Sequence, residues 1–459
     1  MPPAYSVPGA TNQVQWQPAT PAANLPRHGW WRVFEDAELD RLEITADANN
    51  QELAAALARF EEARAGVNIA HANLLPQVEL DPSYVRQRTS FNQPQSGHAA
   101  GFSATYNTFT LALQAGWEAD LWGRIRREVE SARARFVASA DDLESARLGL
   151  QAELAIDYFT IRALDAEETL LASTIEAYQR SLELTVNRRK GGIASDLDVS
   201  QAETQLRSTE TELPPLRLER VKLLHALATL CGQPAVEIAT NETESSVVPE
   251  VPPSVPSELL ERRPDVAAAE QRMAAANADV GVAKTAFYPR LRFNGLAGFQ
   301  SVDASTWFDW PSRLWAVGPT IQFPLFTGGQ NKAQLALARA AYNGTVAGYR
   351  QTVLSAFQEV EDQLAAQRYL EAQLAAEVAA LNAAQHTLDI ARNRYKAGLV
   401  TYLEVATAQS AALNLERVVV QLRGQKRVAA VGLIRALGGG WEQEARSAKA
   451  ETRPNTESH

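Results

Sequence analysis

Cysteine is nearly absent: Cys231 stands alone in 459 residues. One thiol can build neither a disulfide framework nor a cysteine-based metal site within a chain. Long apolar runs are missing too, since no stretch of about 20 residues reads as a bilayer-spanning helix. The opening MPPAYSVPGA has neither the basic region nor the apolar core of a signal peptide. That leaves two expectations, a cytosolic protein or a mature sequence whose export signal has been removed. Positive charge is also in short supply: 54 acidic against 44 basic residues give a formal net charge of −10, the wrong sign for a nucleic-acid surface. A solvated acidic surface or an acidic lumen would account for that balance. Catalytic vocabulary is equally thin. His225 and His386 are isolated, without a second ligand at metal-binding spacing. TGGQNK at 327–332 lacks the GK[ST] ending of a phosphate loop, and no nucleophile, base and orienting group stand out. No metal, cofactor or enzymatic reaction is expected.

What is present occurs twice. NRRKGGIASDLDVSQAETQ begins at Asn187 and NRYKAGLVTYLEVATAQSA at Asn393, and each reads as a helix, a tight turn and a second helix. Basic residues fill the last turn of the incoming helix, Arg188, Arg189 and Lys190 in one copy and Arg392, Arg394 and Lys396 in the other, where they complement the helix dipole. Gly192 or Gly398 follows where a left-handed C-cap is wanted. Ser195 with Asp198, and Thr401 with Glu404, then read as capping boxes that restart the chain. Two copies at a constant offset mean an internal duplication.

Around these tips the rest of the chain falls into order. Residues 1–37 read as an extended segment anchored by Trp30, Trp31 and Phe34. The first repeat, 38–230, holds a helix closed by Pro76, strands at 77–90 and 108–122, and a long helical hairpin with its tip at 190–197. Phe109, Leu111, Leu113, Ala115, Trp117, Ala119 and Leu121 alternate onto one strand face. From Gly123 the period becomes helical up to Lys190, a helix on the order of 100 Å long. Pro214 and Pro215 are expected to break the return helix. A Pro- and Glu-bearing connector spans 231–256, and the second repeat, 257–437, has strands at 290–300 and 313–325 and a tip at 396–403. The polar tail, 438–459, is expected to be disordered. Strands with Trp and Phe on one face suit lipid, where sheet edges must be closed. Four strands cannot close, but three chains with twelve can.

Several blocks carry a family resemblance: GWWRVFEDAELDRL from Gly29, WEADLWGRIRREVESARA from Trp117, ERRPDVAAAEQRMAAANADVGVAKTAFYPRL from Glu261, FPLFTGG from Phe323, and both tips. They cover nearly the whole chain, which resembles the TolC-like outer-membrane factors and, among them, the NodT-type efflux lipoproteins. The resemblance implies an internally duplicated α+β membrane protein. Its long α-helical barrel would join a transmembrane β-barrel completed by trimerisation. It also implies a place in the outer membrane of a Gram-negative bacterium, extending into the periplasm. There the homotrimer would be the passive duct of a tripartite efflux system, with a periplasmic adaptor and an inner-membrane RND pump as partners and no nucleic acid. The family's lipoproteins carry an acylated cysteine ahead of a segment similar to PPAYSVP; here Met1 stands there, and the native form is expected to be lipid-anchored.

The same resemblance makes Asp196, Asp198, Glu404, Arg394 and Lys396 candidates for the periplasmic aperture, with Gly192 and Gly398 at the turns. Helix capping and dipole complementation are the plainer alternatives. Several relatives carry a further Asp one turn beyond Glu404, where this chain has Thr407. Trp307, Trp310 and Trp315 are candidates for an interfacial aromatic girdle, against ordinary burial. A soluble or peripheral helical scaffold with a water-exposed sheet is the other functional class open at this point. It would not need detergent to leave the membrane.

Overall fold

A computed structural model describes residues 29–92, 105–237 and 263–439. Most of the extended segment, of the connector and of the polar tail lies outside the described residues. The chain divides into two compact units, one of residues 58–140 with 268–350, the other of residues up to 57 with 141–267 and 351 onward. Two helices of 67 residues each, α3 (Arg124–Lys190) and α7 (Gln330–Lys396), run through both.

The first unit contains the sheet. Its strands β1 (Gln77–Arg88), β2 (Thr105–Ala119), β3 (Arg290–Ser301) and β4 (Arg313–Gln322) are antiparallel in the order β1-β2-β3-β4. All four helix-attached strand ends lie at one end of the sheet, because Gln77 pairs with Gly116 and Arg290 with Gln322. The register sorts the side chains into two chemistries. Leu80, Leu113, Ala297 and Trp315 form one row, and Val78, Ala115, Gly295 and Val317 the next. The opposite face carries Glu79, Gln114, Leu296 and Ala316, then Gln77, Gly116, Asn294 and Gly318. The apolar face is uncovered, with Trp315 at 77% and Val317 at 76% exposure. A sheet in water hides such a face.

Several expected boundaries are corrected. β2 stops at Ala119, short of Leu121, because Asp120 turns to cap α3, its carboxylate accepting from the amides of Ile125 at 3.1 Å and Arg126 at 2.9 Å. Trp122 then seals the junction by stacking on Tyr288 and donating to the Pro289 carbonyl at 2.7 Å. β4 ends at Gln322, so Phe323 and Leu325 lie beyond it; Pro324 has no N–H to continue the ladder. β1 ends at Arg88 and β3 reaches Ser301.

In the second unit the described part of the N-terminal segment is a 3-10 turn, Trp30–Phe34, not an extended arm. Its aromatic side chains are buried, Trp30 donating to Gln151 at 3.1 Å and Phe34 packing on Phe159. The next expected helix is two, α1 (Ala37–Asn49) and α2 (Gln51–Ala72). The break is at Asn50, whose side chain accepts from Leu53 N–H at 2.8 Å and donates to the Leu230 carbonyl at 2.9 Å. The first return limb is broken as well, into α4 (Asp196–Glu210) and α5 (Leu213–Leu230), with Pro in the first turn of α5 where its missing N–H costs nothing. Helix α6 (Pro264–Thr285) opens the second repeat, and its return limb, α8 (Tyr402–Ala436), is unbroken.

Candidate functional site: the paired hairpin tips and the exposed sheet face

Both tips use the same backbone device. Gly192 and Gly398 each have φ of 74°, a conformation that costs a side chain energy and glycine little. Ile193 N–H then reaches back to the Arg188 carbonyl at 2.8 Å, and Leu399 N–H to that of Arg394 at 3.0 Å. These are the six-to-one bonds of a Schellman ending.

The restarts differ. At the first tip the capping box is complete: Asp198 N–H donates to Ser195 Oγ at 3.2 Å, and Ser195 N–H to Asp198 Oδ2 at 2.9 Å. At the second tip Thr401 makes no side-chain cap, so the expected Thr401–Glu404 box is absent. Its work falls to the neighbouring hairpin, since Tyr402 N–H donates to Asp198 Oδ1 at 3.2 Å. One carboxylate thus caps two helices, α4 through Oδ2 and α8 through Oδ1. Glu404 faces Arg394 instead, at 3.7 Å with both side chains about half exposed.

Aligning the two copies exposes a further difference. Arg189 and Asp196 form an ion pair across the first turn. At the equivalent positions the second tip has Tyr395 and Tyr402, buried edge to face at 5.5 Å. Arg188 ties the hairpins together, donating to the Lys396 carbonyl at 3.1 Å with its guanidinium over the Tyr395 ring at 4.8 Å. Lys396 itself is exposed. Arg188, Tyr395 and Tyr402 were not among the sequence candidates. The signal that could have found the two tyrosines is that both members of one pair, Arg189 and Asp196, change chemistry together between the copies.

Electrostatics follow the same geometry. Partial burial alone would raise the Asp198 carboxyl, but the Ser195 amide and hydroxyl, the Tyr402 amide and the Arg188 charge outweigh it and hold the carboxyl below its ordinary range. Burial pushes the Tyr402 phenol up. Among the described residues no cluster of His, Cys, Asp or Glu could hold a metal ion.

Of the three tryptophans, Trp315 lies on the apolar sheet face and Trp310 is 74% exposed beside it. Trp307 is partly covered and packs on Phe109 at 5.5 Å and Phe308 at 5.0 Å. Burial therefore describes Trp307 better than the other two.

The family model described as outer membrane efflux protein matches the chain twice, over residues 45–233 and 255–439. The chain belongs to the outer membrane efflux protein family. The two matches fall on the two repeats. Outer membrane protein OprJ of Pseudomonas aeruginosa is 33% identical over 96% of this chain and 93% of its own length. The cation efflux system protein CusC of Escherichia coli is 30% identical over 96% and 94%. Among solved structures, the outer membrane protein VceC of Vibrio cholerae superposes with a TM-score of 0.83 at 30% identity, over 92% of this chain and all of that one. The family member described here is an efflux channel protein of the Gram-negative outer membrane. No described helix is long and apolar enough to cross a membrane.

Proposed function

We propose that three copies close their sheets into one twelve-stranded barrel, and that the trimer is the passive outer-membrane duct of a tripartite efflux system. The observation that carries this reading is the sheet itself. One face is apolar and uncovered, and both edges, β1 and β4, are free of pairing among the described residues. Because β1 and β4 run in opposite directions, β4 of one copy meets β1 of the next antiparallel, and closure removes every edge from hydrocarbon. The helices extend into the periplasm, where the tips narrow the aperture. Ile193, Leu197, Leu399 and Leu403, exposed at equivalent places on both tips, suit an adaptor that receives cargo from an RND pump. Deleting the gene in its host is expected to raise sensitivity to several classes of toxic compound. Unchanged sensitivity, together with no conductance of the purified protein in planar bilayers, would overturn the reading.

Glu404 gives a sharper test at the aperture. Its pairing with Arg394 is exposed, and such pairs contribute about 0–1 kcal/mol, so Glu404→Gln is expected to leave thermal stability nearly unchanged. The same substitution removes three negative charges from one ring, where they focus the field on passing ions. Planar-bilayer recordings are expected to show a lower cation preference. Unchanged selectivity and conductance would remove Glu404 from the aperture.

A further inference from the structure

The apolar face of the sheet does not stay apolar to its end. From the helix-attached end, Ala119, Trp117, Ala115, Leu113, Leu111 and Phe109 of β2 follow one another along it. Ten residues of strand at about 3.4 Å each, tilted by about 40°, make a band roughly 26 Å high, matching the lipid-facing band of an outer-membrane barrel. At the outer end of that band and beyond it the face turns basic. Arg86 pairs with Asn107 and Arg88 with Thr105 at the far end of β1, and Arg313, opposite Phe299, opens β4. All three are exposed. Arg313, in the row of Phe299 and Leu111, lies two rows below that of Arg86 and is held by Trp310, donating to its carbonyl at 3.0 Å with the guanidinium over its ring.

The selection of charge by face is complete. In a chain with a net charge of −10, the charged residues on this face of the four strands are these arginines alone, while Glu79, Asp81 and Glu118 all lie on the other face with Arg290 and Arg292. Beside the arginines runs a ladder of rings: Tyr84 against Phe109 at 4.9 Å, Phe109 against Trp307 at 5.5 Å, and Phe308 against Phe299 at 5.7 Å. Guanidinium groups bind phosphate through paired, charge-assisted hydrogen bonds, and aromatic rings at a membrane interface keep one side in the apolar layer.

We propose that Arg86, Arg88 and Arg313 bind the phosphates of the phosphorylated glycolipid that fills the outer leaflet of the outer membrane. The inference rests on the trimeric barrel reading, which makes the site composite. Arg86 and Arg88 belong to one edge strand and Arg313 to the other, so each seam between protomers brings β1 of one chain beside β4 of its neighbour, with three such seams in a trimer. The lipid would then bridge two subunits at the height of its headgroup.

The test uses the full chain, purified in mild detergent and first shown to be trimeric, with bisphosphorylated lipid A, its dephosphorylated form and phosphatidylglycerol as probes in native mass spectrometry. Lipid A is expected to be retained in up to three copies, and Arg86→Gln with Arg313→Gln to lower its affinity by roughly tenfold or more, as loss of charge-assisted contacts implies. Arg290→Gln, the same charge change on the opposite face, is expected to leave retention unchanged. Undiminished retention by the trimeric double variant, or equal retention of the dephosphorylated lipid or of phosphatidylglycerol, overturns the proposal. Should the double variant fail to assemble, competition between the probes on the unaltered trimer decides by the same criterion. An unaltered protein that is not trimeric contradicts the barrel reading, a result separate from failure to bind lipid.

Discussion

Asp198→Ala is expected to loosen both hairpin tips at once, because one carboxylate caps two helices. Its Oδ2 serves Ser195 at the start of α4 and its Oδ1 serves Tyr402 at the start of α8. Loss of a helix cap costs about 0.5–2 kcal/mol, and bonds to a charged acceptor lie toward the stronger end, so two caps together represent about 2–4 kcal/mol of local stability. Arg188 also loses the charge it faces. Asp198→Asn is expected to fall between, since an amide has one acceptor oxygen and its other end is a donor that meets an N–H. Hydrogen exchange should quicken at the amides of residues 196–199 and at Tyr402, and the channel should open more readily in planar bilayers. Unchanged exchange at Tyr402 would contradict the interlock. The pH dependence has a definite sign. Asp198 is depressed in the folded protein, so its contribution is present above the ordinary carboxylate value of about 4 and is lost as pH falls through the depressed one. Tip exchange rates corrected for intrinsic chemistry should be flat from about pH 5 to 8 and rise only in stronger acid.

Leu113→Arg is expected to impair assembly. Leu113 pairs with Leu80 and Ala297 near the middle of the apolar band, and a cation at mid-membrane on a barrel's lipid face costs about 2–4 kcal/mol. Each trimer would carry three. Gln114→Arg next door should be milder, because Gln114 lies on the polar face opposite Glu79 and donates to Asp81 at 3.3 Å. The measurement is the fraction of each variant recovered as assembled protein from outer membranes. Equal tolerance at the two positions would contradict the assignment of faces.

The α+β class and the family were legible because their signals are local and repeated. Alternation from Phe109 to Ala119 needs only a period of two, and the Ser195–Asp198 box needs only four consecutive residues. Boundaries were less legible where a polar residue had two possible uses. Asp120 continues the polar side of the strand pattern but is recruited to cap α3, and Asn50 sits in a helical period yet caps α2 from the break. At the tips, Thr401 and Glu404 have the right spacing for a box that the structure does not make, while a carboxylate from a distant part of the chain takes the Tyr402 amide and Glu404 faces Arg394. Nothing in the spacing of either copy announces a bond between copies. Pairing across hairpins is a tertiary fact, and a pattern of residue types carries it only once the two tips are set side by side.

In the proposed trimer no single chain makes the barrel. The most direct measurement is the mass of the detergent-extracted, folded protein, by native mass spectrometry or by cross-linking read on denaturing gels. A species of three 50.1 kDa chains is expected, with strand structure lost whenever the trimer is dissociated. A stable single chain that keeps its sheet closed in detergent would contradict it.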